Sequence, residues 1–194
     1  MTLLEVGVWI AIFSIVMVAV MNSILYFYRT NNYTIEQASA VTSAQRGIDR
    51  AVREIREAAY AANGAYPVVS FGANDFVFYS DIDSDSAAER VHFFLSTSGG
   101  LESFTRGILN PSGDPPVYTG QEATSSISEY VRNTANSITT FIYYDKNGAQ
   151  ITDYTKIADV RFVSVNLGID VDPNRSPTPL SLRSSAALRN LIGK

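Results

Sequence analysis

The chain opens with a long apolar stretch. From Val6 to Tyr28 it contains no Asp, Glu, Lys or Arg. As a helix, these 23 residues are ~35 Å long, which is enough to cross a hydrocarbon core of ~30 Å. Tyr26, Phe27 and Arg29 lie at the end of the stretch, where aromatic and basic side chains are typical of a membrane interface. The pattern therefore predicts a membrane-spanning helix.

Helical periodicity continues beyond this stretch. Apolar residues recur every three or four positions, which is the spacing of one helix face. These residues are Ile48, Val52, Ile55 and Ala59. No Pro interrupts the chain before Pro67, and Asn63-Gly64 is a stop signal. We therefore expect one helix from near Thr2 to about Ala62.

After Gly64 the pattern changes to runs that are typical of β-strands. The candidate strands are Phe76–Tyr79, Arg90–Leu95, Leu101–Arg106, Ile138–Tyr144, Val163–Val171 and Leu180–Leu188. Asn147-Gly148 predicts a hairpin turn after the fourth run, and strict alternation predicts that the fifth is half-buried. The segment Gly107–Ser137 is expected to hold a short helix near Ile127–Asn133. Together, the helix and the strands predict an α+β fold in which the apolar helix face covers an antiparallel sheet.

Composition and charge restrict the function. The chain of 194 residues has no Cys, which excludes disulfides and thiol catalysis. The net charge of −4 comes entirely from residues 61–194, and this mildly acidic part of the chain argues against nucleic acid as the main partner. No Ser/His/Asp grouping, phosphate loop or nucleotide fingerprint is present, and the single histidine, His92, is expected to be an ordinary strand residue. The sequence does not predict an enzyme.

Glu5 is the one charged residue at the head of the apolar stretch. A carboxylate in hydrocarbon is costly and needs a partner. The nearest cation in the sequence is the α-amino group of Met1, in the same chain or in a neighbouring copy. Because a second copy of the chain can neutralise Glu5, this segment indicates assembly of several chains.

The run Thr2-Leu3-Leu4-Glu5-Val6, followed by Ala11-Ile12-Phe13, resembles the type IV pilins and the pseudopilins of type II secretion. Ile138–Ile151 resembles, more weakly, the strand-turn-strand of longer, minor-pilin-like members. The resemblance implies that prepilin peptidase cuts before Met1, so that the chain is the mature form, and that Met1 becomes N-methylated. Met stands here where the family usually has Phe.

The resemblance also implies a type IV pilin fold. Residues 1–28 would form the hydrophobic helix that anchors the chain and builds a filament core. Residues 29–62 would be its amphipathic continuation, and residues 63–194 a β-rich head. Many pilins have a Pro in the apolar helix, whereas this chain has Asn22-Ser23 there, so we expect a helix that is continuous or only locally loosened.

The implied function is structural. Before assembly, the chain would be anchored in the cytoplasmic membrane with its head on the outer side. It would then join copies of itself or related pilins in a filament at the cell surface. Adhesion, motility or DNA uptake would be properties of that filament. Two alternatives stay open: a minor pseudopilin of a type II secretion system, and a membrane-anchored extracytoplasmic binding domain that does not polymerise.

An acidic segment suggests a metal site. Carboxylates occupy positions one, three, five and nine of a calcium-loop pattern. They are Asp81, Asp83, Asp85 and Glu89. The pattern departs from an EF-hand at its sixth and twelfth positions, which are Ser86 and His92. Either the segment binds calcium or it is an exposed acidic turn, and no other cofactor is expected.

Four arginines line one side of the predicted helix. Arg46, Arg50, Arg53 and Arg56 are three or four residues apart. Glu54 and Glu57 are within reach of them on the same helix. Either this face is solvated and paired with itself, or it is a basic stripe that meets the acidic heads of neighbouring subunits.

Overall fold

The structure, a computed structural model, describes residues 2–85, 87–175 and 179–191. The described residues contain one α-helix, α1 (Leu3–Arg56), and nine strands. The strands are β1 (Val68–Phe71), β2 (Asp75–Ser80), β3 (Glu89–Ser98), β4 (Leu101–Leu109), β5 (Ala123–Val131), β6 (Phe141–Tyr144), β7 (Gln150–Ile151), β8 (Phe162–Ile169) and β9 (Leu180–Ala187). The chain forms two compact units, residues 1–39 and residues 40–194. The architecture is α+β and matches the type IV pilin fold.

In the first unit, the part of the helix from Val6 to Tyr28 has no charged side chain, and its large apolar side chains are exposed. The side chains of Leu3, Trp9 and Phe13 are 92%, 65% and 64% exposed. By length and composition, α1 is the one described helix that could cross a membrane. The helix runs through Asn22-Ser23 without a break, which is the continuous helix that the absence of Pro predicts.

In the second unit, α1 packs on the sheet. Ala44, Ile48, Ala51 and Ile55 are buried in the core. Gly47 brings the helix close to β5, because a Cβ atom there would lie 2.9 Å from the carbonyl oxygen of Ile127. The predicted core face is confirmed at Ile48, Val52 and Ile55. It is wrong at Ala59, which lies beyond the end of the helix and is only half-buried.

The helix ends at Arg56, six residues before the predicted Ala62. Ala58 instead forms an antiparallel bridge with Ser80, and the Ala59 amide donates to the carbonyl of Tyr79. Ala58 is fully buried in this position. Pairing with β2 therefore stops the helix before the Asn-Gly signal does.

The sheet is antiparallel throughout, in the order β1-β2-β3-β4-β5-β8-β6-β7, and β9 pairs with β8. Because β6 and β9 both pair with the start of β8, they lie on its opposite edges. An aromatic row crosses the inner face, with ring centroids 6.0 Å apart for Phe78 and Phe93 and 5.5 Å apart for Phe93 and Phe104. This row, the buried face of α1 and the inner face of β8 belong to one core.

Two predictions for the head are wrong. Residues 127–131 belong to β5 and not to a helix, because they pair with β4 in the sheet. The fifth run, now β8, is buried on both faces and not on one. Its outward residue Asn166 donates to the Thr139 carbonyl at 3.1 Å, so the loop before β6 covers that face.

Candidate functional site

Glu5 and Thr2 form a reciprocal pair at the start of α1. The Thr2 amide donates to the Glu5 carboxylate at 2.8 Å, and the Glu5 amide donates to the Thr2 hydroxyl at 3.4 Å. This is a capping box, which satisfies two amide groups that a helix start leaves without partners. The Thr-x-x-Glu spacing in the sequence is the signal that would have predicted this capping box. Met1, the predicted partner of Glu5 and predicted methylation site, lies outside the described residues.

The carboxylate of Glu5 therefore has a local role that does not require its charge to be neutralised. One accepted hydrogen bond leaves most of its hydrogen-bonding capacity open. The surrounding side chains are apolar and exposed, including Leu4 and Val8. When this surface becomes buried in lipid or protein, the charge needs a further partner.

The acidic turn between β2 and β3 brings three of its four predicted ligands together. Asp81, Asp83 and Glu89 each present one carboxylate oxygen, and these oxygens lie within 4.8 Å of one another. Two oxygen ligands of one calcium ion are at most ~5.2 Å apart, since each lies about 2.3–2.6 Å from the ion. The three carboxylates therefore fit a calcium ion, whose remaining ligands would be water or carbonyl oxygens.

The fourth predicted ligand, Asp85, does not belong to this group. Its carboxylate accepts the amide of Ala87 at 2.8 Å. Its own amide donates to Asp83 at 3.2 Å. These bonds shape the turn. Ser86, the sixth position of the calcium-loop pattern, lies outside the described residues.

Glu89 stabilises the acidic turn from its buried side. It is 2% exposed, and its carboxylate accepts the Ile82 amide at 2.9 Å. Burial raises the pKa of Glu89, and the charges of Asp83 and Asp85 raise it further, while the backbone hydrogen bond from Ile82 lowers it. A cation at this point would offset the burial of the charge.

The arginine face of α1 borders a groove of about 560 Å³. Its lining is Arg46, Asp49, Arg50, Arg53, Glu54, Glu57 and Ile82. Glu54 is buried between two guanidinium groups, with its carboxylate oxygens 3.1 Å from Nε of Arg50 and 2.8 Å from Nε of Arg106. Arg106 comes from β4, and nothing in the local sequence pointed to it. The groove is therefore built by the helix and closed at one wall by the acidic turn.

His92 belongs to a second cluster that the sequence did not predict. Its Nδ1 lies 3.0 Å from the carboxylate of Glu122, and Arg90 donates to the other oxygen of that carboxylate at 3.2 Å. Gly107 makes room for the carboxylate, since a Cβ there would lie 2.5 Å from it. The cluster fastens the segment before β5 to the sheet, so His92 has a structural partner and no metal-binding neighbours among the described residues.

Comparison with known proteins gives no family assignment. No protein-family model matches the chain, and no curated protein matches it. The proposals below therefore rest on the fold and on the geometry of the described residues.

Proposed function

We propose that the protein is a structural subunit of a type IV pilus or a related filament, which polymerises through its N-terminal hydrophobic helix. The observation that carries the proposal is the exposed apolar surface of the first unit. The large apolar side chains of its helix are exposed from Leu3 to Tyr28. A surface of this kind needs lipid or other protein chains around it.

Before assembly, the cytoplasmic membrane provides that environment. The helix is long enough to span the bilayer, and Arg29 at its end favours the interface. After assembly, the same side chains pack against the helices of other copies. Prepilin peptidase is the processing partner that this role requires.

Glu5 supports assembly over simple anchoring. Burying an unpaired charge in an apolar helix bundle costs roughly several kcal/mol. The α-amino group of a neighbouring copy can neutralise Glu5 in the filament. An incoming chain then has one preferred axial position, at which the two charges meet.

Electron microscopy of filaments tests this proposal. The variants Glu5→Ala and Glu5→Gln should both reduce filament yield while the chain stays in the membrane fraction. Glu5→Gln keeps an oxygen that accepts the Thr2 amide, so it removes the charge but retains the cap. Asp159→Ala, at an exposed position of the head, is the control for loss of one negative charge.

Normal incorporation of both Glu5 variants would contradict the role of the charge. If the wild-type chain stays in the membrane and enters no filament, the non-polymerising anchored domain replaces the filament subunit. Whether the chain is the bulk component or a minor one follows from its abundance in purified filaments.

A further inference from the structure

The described sheet ends in the strands β1, β7 and β9, whose outer edges are protected to different degrees. An open strand edge is a template for another strand, so proteins usually shorten, bulge, charge or cover it. β1 has a register shift between Val68 and Ser70, and the segment 153–159 packs against it, with the ring centroids of Phe71 and Tyr154 5.5 Å apart. β7 has two residues. These two edges are therefore covered or short.

β9 has none of these protections within the described part of the chain. It pairs with β8 over all eight of its residues without a register shift, and no other described strand pairs with it. It contains neither Pro nor Lys. Its one charged residue, Arg183, reaches back across β8, where Nε donates to the Ser164 hydroxyl at 2.9 Å and Nη2 donates to the Tyr144 hydroxyl at 3.0 Å. This charge therefore lies away from the open edge.

The hydrogen-bonding pattern fixes which backbone groups of β9 are open. The amide of Leu188, just after β9, donates at 2.9 Å to the carbonyl of the residue before β8, so the even-numbered residues of β9 point their backbone groups at β8. Backbone groups point alternately to the two edges of a strand, so those of Ser181, Arg183 and Ser185 point away from β8. These three residues are exposed, so no described segment covers the edge.

A groove of about 320 Å³ lies between β9 and α1, and we call it the edge groove. Its apolar lining is the buried Ile48 of α1 and the partly buried Leu182 of β9. The polar lining is Gln45, Asp49, Arg183 and Ser184. The inward side chains of a strand added to β9 would continue the face that carries Leu182 and would enter this groove. The site therefore favours a strand with apolar residues at its inward positions.

We propose that β9 and the edge groove bind an extended segment of a different polypeptide, which adds a strand to the sheet and carries apolar side chains at alternate positions. Main-chain hydrogen bonds of the open edge hold the segment, and the groove selects its inward side chains. The inference concerns the head and does not require that the chain polymerises.

The β9 strand of a second copy does not suit this site. Two β9 strands would pair in antiparallel fashion about a twofold axis perpendicular to the sheet. Because α1 packs along the inner face of the sheet, this axis would make the two α1 helices point in opposite directions. Chains anchored in one membrane, as proposed above, have helices that point the same way. The occupant is therefore a segment of another protein.

A synthetic peptide tests the site on the full-length protein in mild detergent. The probe is the fluorescein-labelled peptide Lys-Val-Thr-Val-Thr-Val-Thr-Lys, in which every valine can face the edge groove. Two further peptides carry N-methyl groups, one on its valines and the other on its threonines. In a strand, alternate residues donate to opposite edges, so one of these two peptides lacks the donors that face β9 and the other retains them.

Fluorescence anisotropy should show binding of the probe that saturates below ~1 mM, at the weak end of specific affinities. One N-methylated peptide should bind at least ~10-fold more weakly than the other, because several hydrogen bonds are lost together. A photoreactive benzophenone side chain in place of the central valine should label the edge groove, at Ile48 or Leu182, when the labelled protein is mapped by mass spectrometry.

Variants of β9 give the second measurement. Ser185→Pro removes an amide of the open edge without removing a hydrogen bond to β8, since Pro is tolerated in an edge strand where its nitrogen faces solvent. It should weaken binding of the probe by at least ~5-fold, whereas the matched control Ser185→Thr keeps the amide and should bind as the wild type does. An unchanged melting temperature shows that the head is intact, and Ser181→Pro replaces Ser185→Pro if that variant does not fold.

Four results would each overturn the proposal: no saturable binding of the probe, equal affinities of the two N-methylated peptides, labelling away from the edge groove, and full binding by the folded Pro variant. A wild-type chain that binds no probe but forms a dimer, which the Pro variant does not form, would assign the edge to a second copy of β9 instead.

Discussion

The buried ion pair between α1 and β4 should control the stability of the head. Glu54 is 8% exposed and Arg106 is 5% exposed. The Nε of Arg106 donates to Glu54 at 2.8 Å, and the Nε of Arg50 donates to the other carboxylate oxygen at 3.1 Å. Replacing Glu54 with Leu removes the carboxylate and leaves the guanidinium group of Arg106 buried without its counter-charge.

The expected loss is large, since breaking a buried pair on one side costs about 3–5 kcal/mol. The contact with Arg50 adds at most ~0.5 kcal/mol, because that pair joins residues i and i+4 and Arg50 is half exposed. For a chain of this size, about 2–4 °C of melting temperature corresponds to 1 kcal/mol, so Glu54→Leu should lower it by roughly 6–20 °C.

Two further variants separate the ion pair from packing. The double variant Glu54→Leu/Arg106→Met replaces both charges with apolar side chains and should regain most of the lost stability. Arg50→Ala is the matched control and should change the free energy of unfolding by ~0.5 kcal/mol or less. Full-length protein in mild detergent is unfolded by heat for the melting temperature and with urea for the free energy of unfolding, and both transitions are followed by near-ultraviolet circular dichroism.

The reasoning is refuted if Glu54→Leu stays within ~1 kcal/mol of the wild type, since a buried uncompensated charge cannot be that inexpensive. A double variant as unstable as Glu54→Leu would also contradict it. In that case the loss would come from the altered packing between α1 and β4.

Calcium should raise the melting temperature of the head, by the equivalent of about 2.7 kcal/mol at 100 times its Kd, and Asp83→Asn should remove the effect. Asn133→Ala should lower the free energy of unfolding by about 1–3 kcal/mol in urea titrations, because it leaves the buried amide of Gly168, now 2.7 Å from the Asn133 side chain, without an acceptor. Hydrogen bonds to its carboxylate, first of all from the Ala149 amide, lower the pKa of Asp145. Its contribution to stability is therefore present at neutral pH and lost as the pH falls through the lowered pKa, so the melting temperatures of the wild type and Asp145→Ala should converge in acid.

Each of these expectations has a control and a contrary result. Chelator should reverse the calcium shift, and an unchanged melting temperature with excess calcium would make the segment an ordinary acidic turn. Asn136→Ala removes an exposed amide that bonds the Arg132 carbonyl, and a loss equal to that of Asn133→Ala would contradict the role of burial. A difference between the wild type and Asp145→Ala that persists unchanged in acid would exclude the titration of Asp145.

The long helix was readable from the sequence because its signals are local. Apolar composition and three-to-four spacing identify α1 without any knowledge of its partners. The end of the helix was not readable, because it depends on the bridge between Ala58 and Ser80, which are 22 positions apart. A stop signal such as Asn-Gly marks where a helix must have ended, and pairing with a strand can end it earlier.

The alternation in β8 predicted the inner face correctly and missed the outer one. Ser164 and Asn166 are polar, yet both are buried. Nε of Arg183 donates to the Ser164 hydroxyl at 2.9 Å, and Asn166 bonds the loop before β6. A polar residue in a strand is therefore not always at the solvent face, since distant segments of the chain can satisfy it.

The candidate sites also divide into residues that local sequence identifies and residues that only the fold brings together. The acidic turn was visible because its carboxylates are close in sequence, and so was the arginine face of α1. Arg106, which binds Glu54, lies 52 positions away from it in the sequence. Glu122, which binds His92, lies 30 positions away from it. Their roles depend on the register of β3, β4 and β5, which no local pattern fixes.

The two halves of α1 depend on different surroundings. Residues 40–56 of the helix lie against the sheet, where Ala44, Ala51 and Ile55 are completely buried. From Leu3 to Tyr28 the helix exposes its large apolar side chains, a surface that favours lipid or other chains as its surroundings. Substitutions in the first half should therefore change location and assembly while the fold of the head is retained. Substitutions at the buried positions of the second half should unfold the head in any environment. Filament yield and head stability are thus independent measurements, and a variant such as Glu5→Ala that lowered both would show that the two halves are coupled.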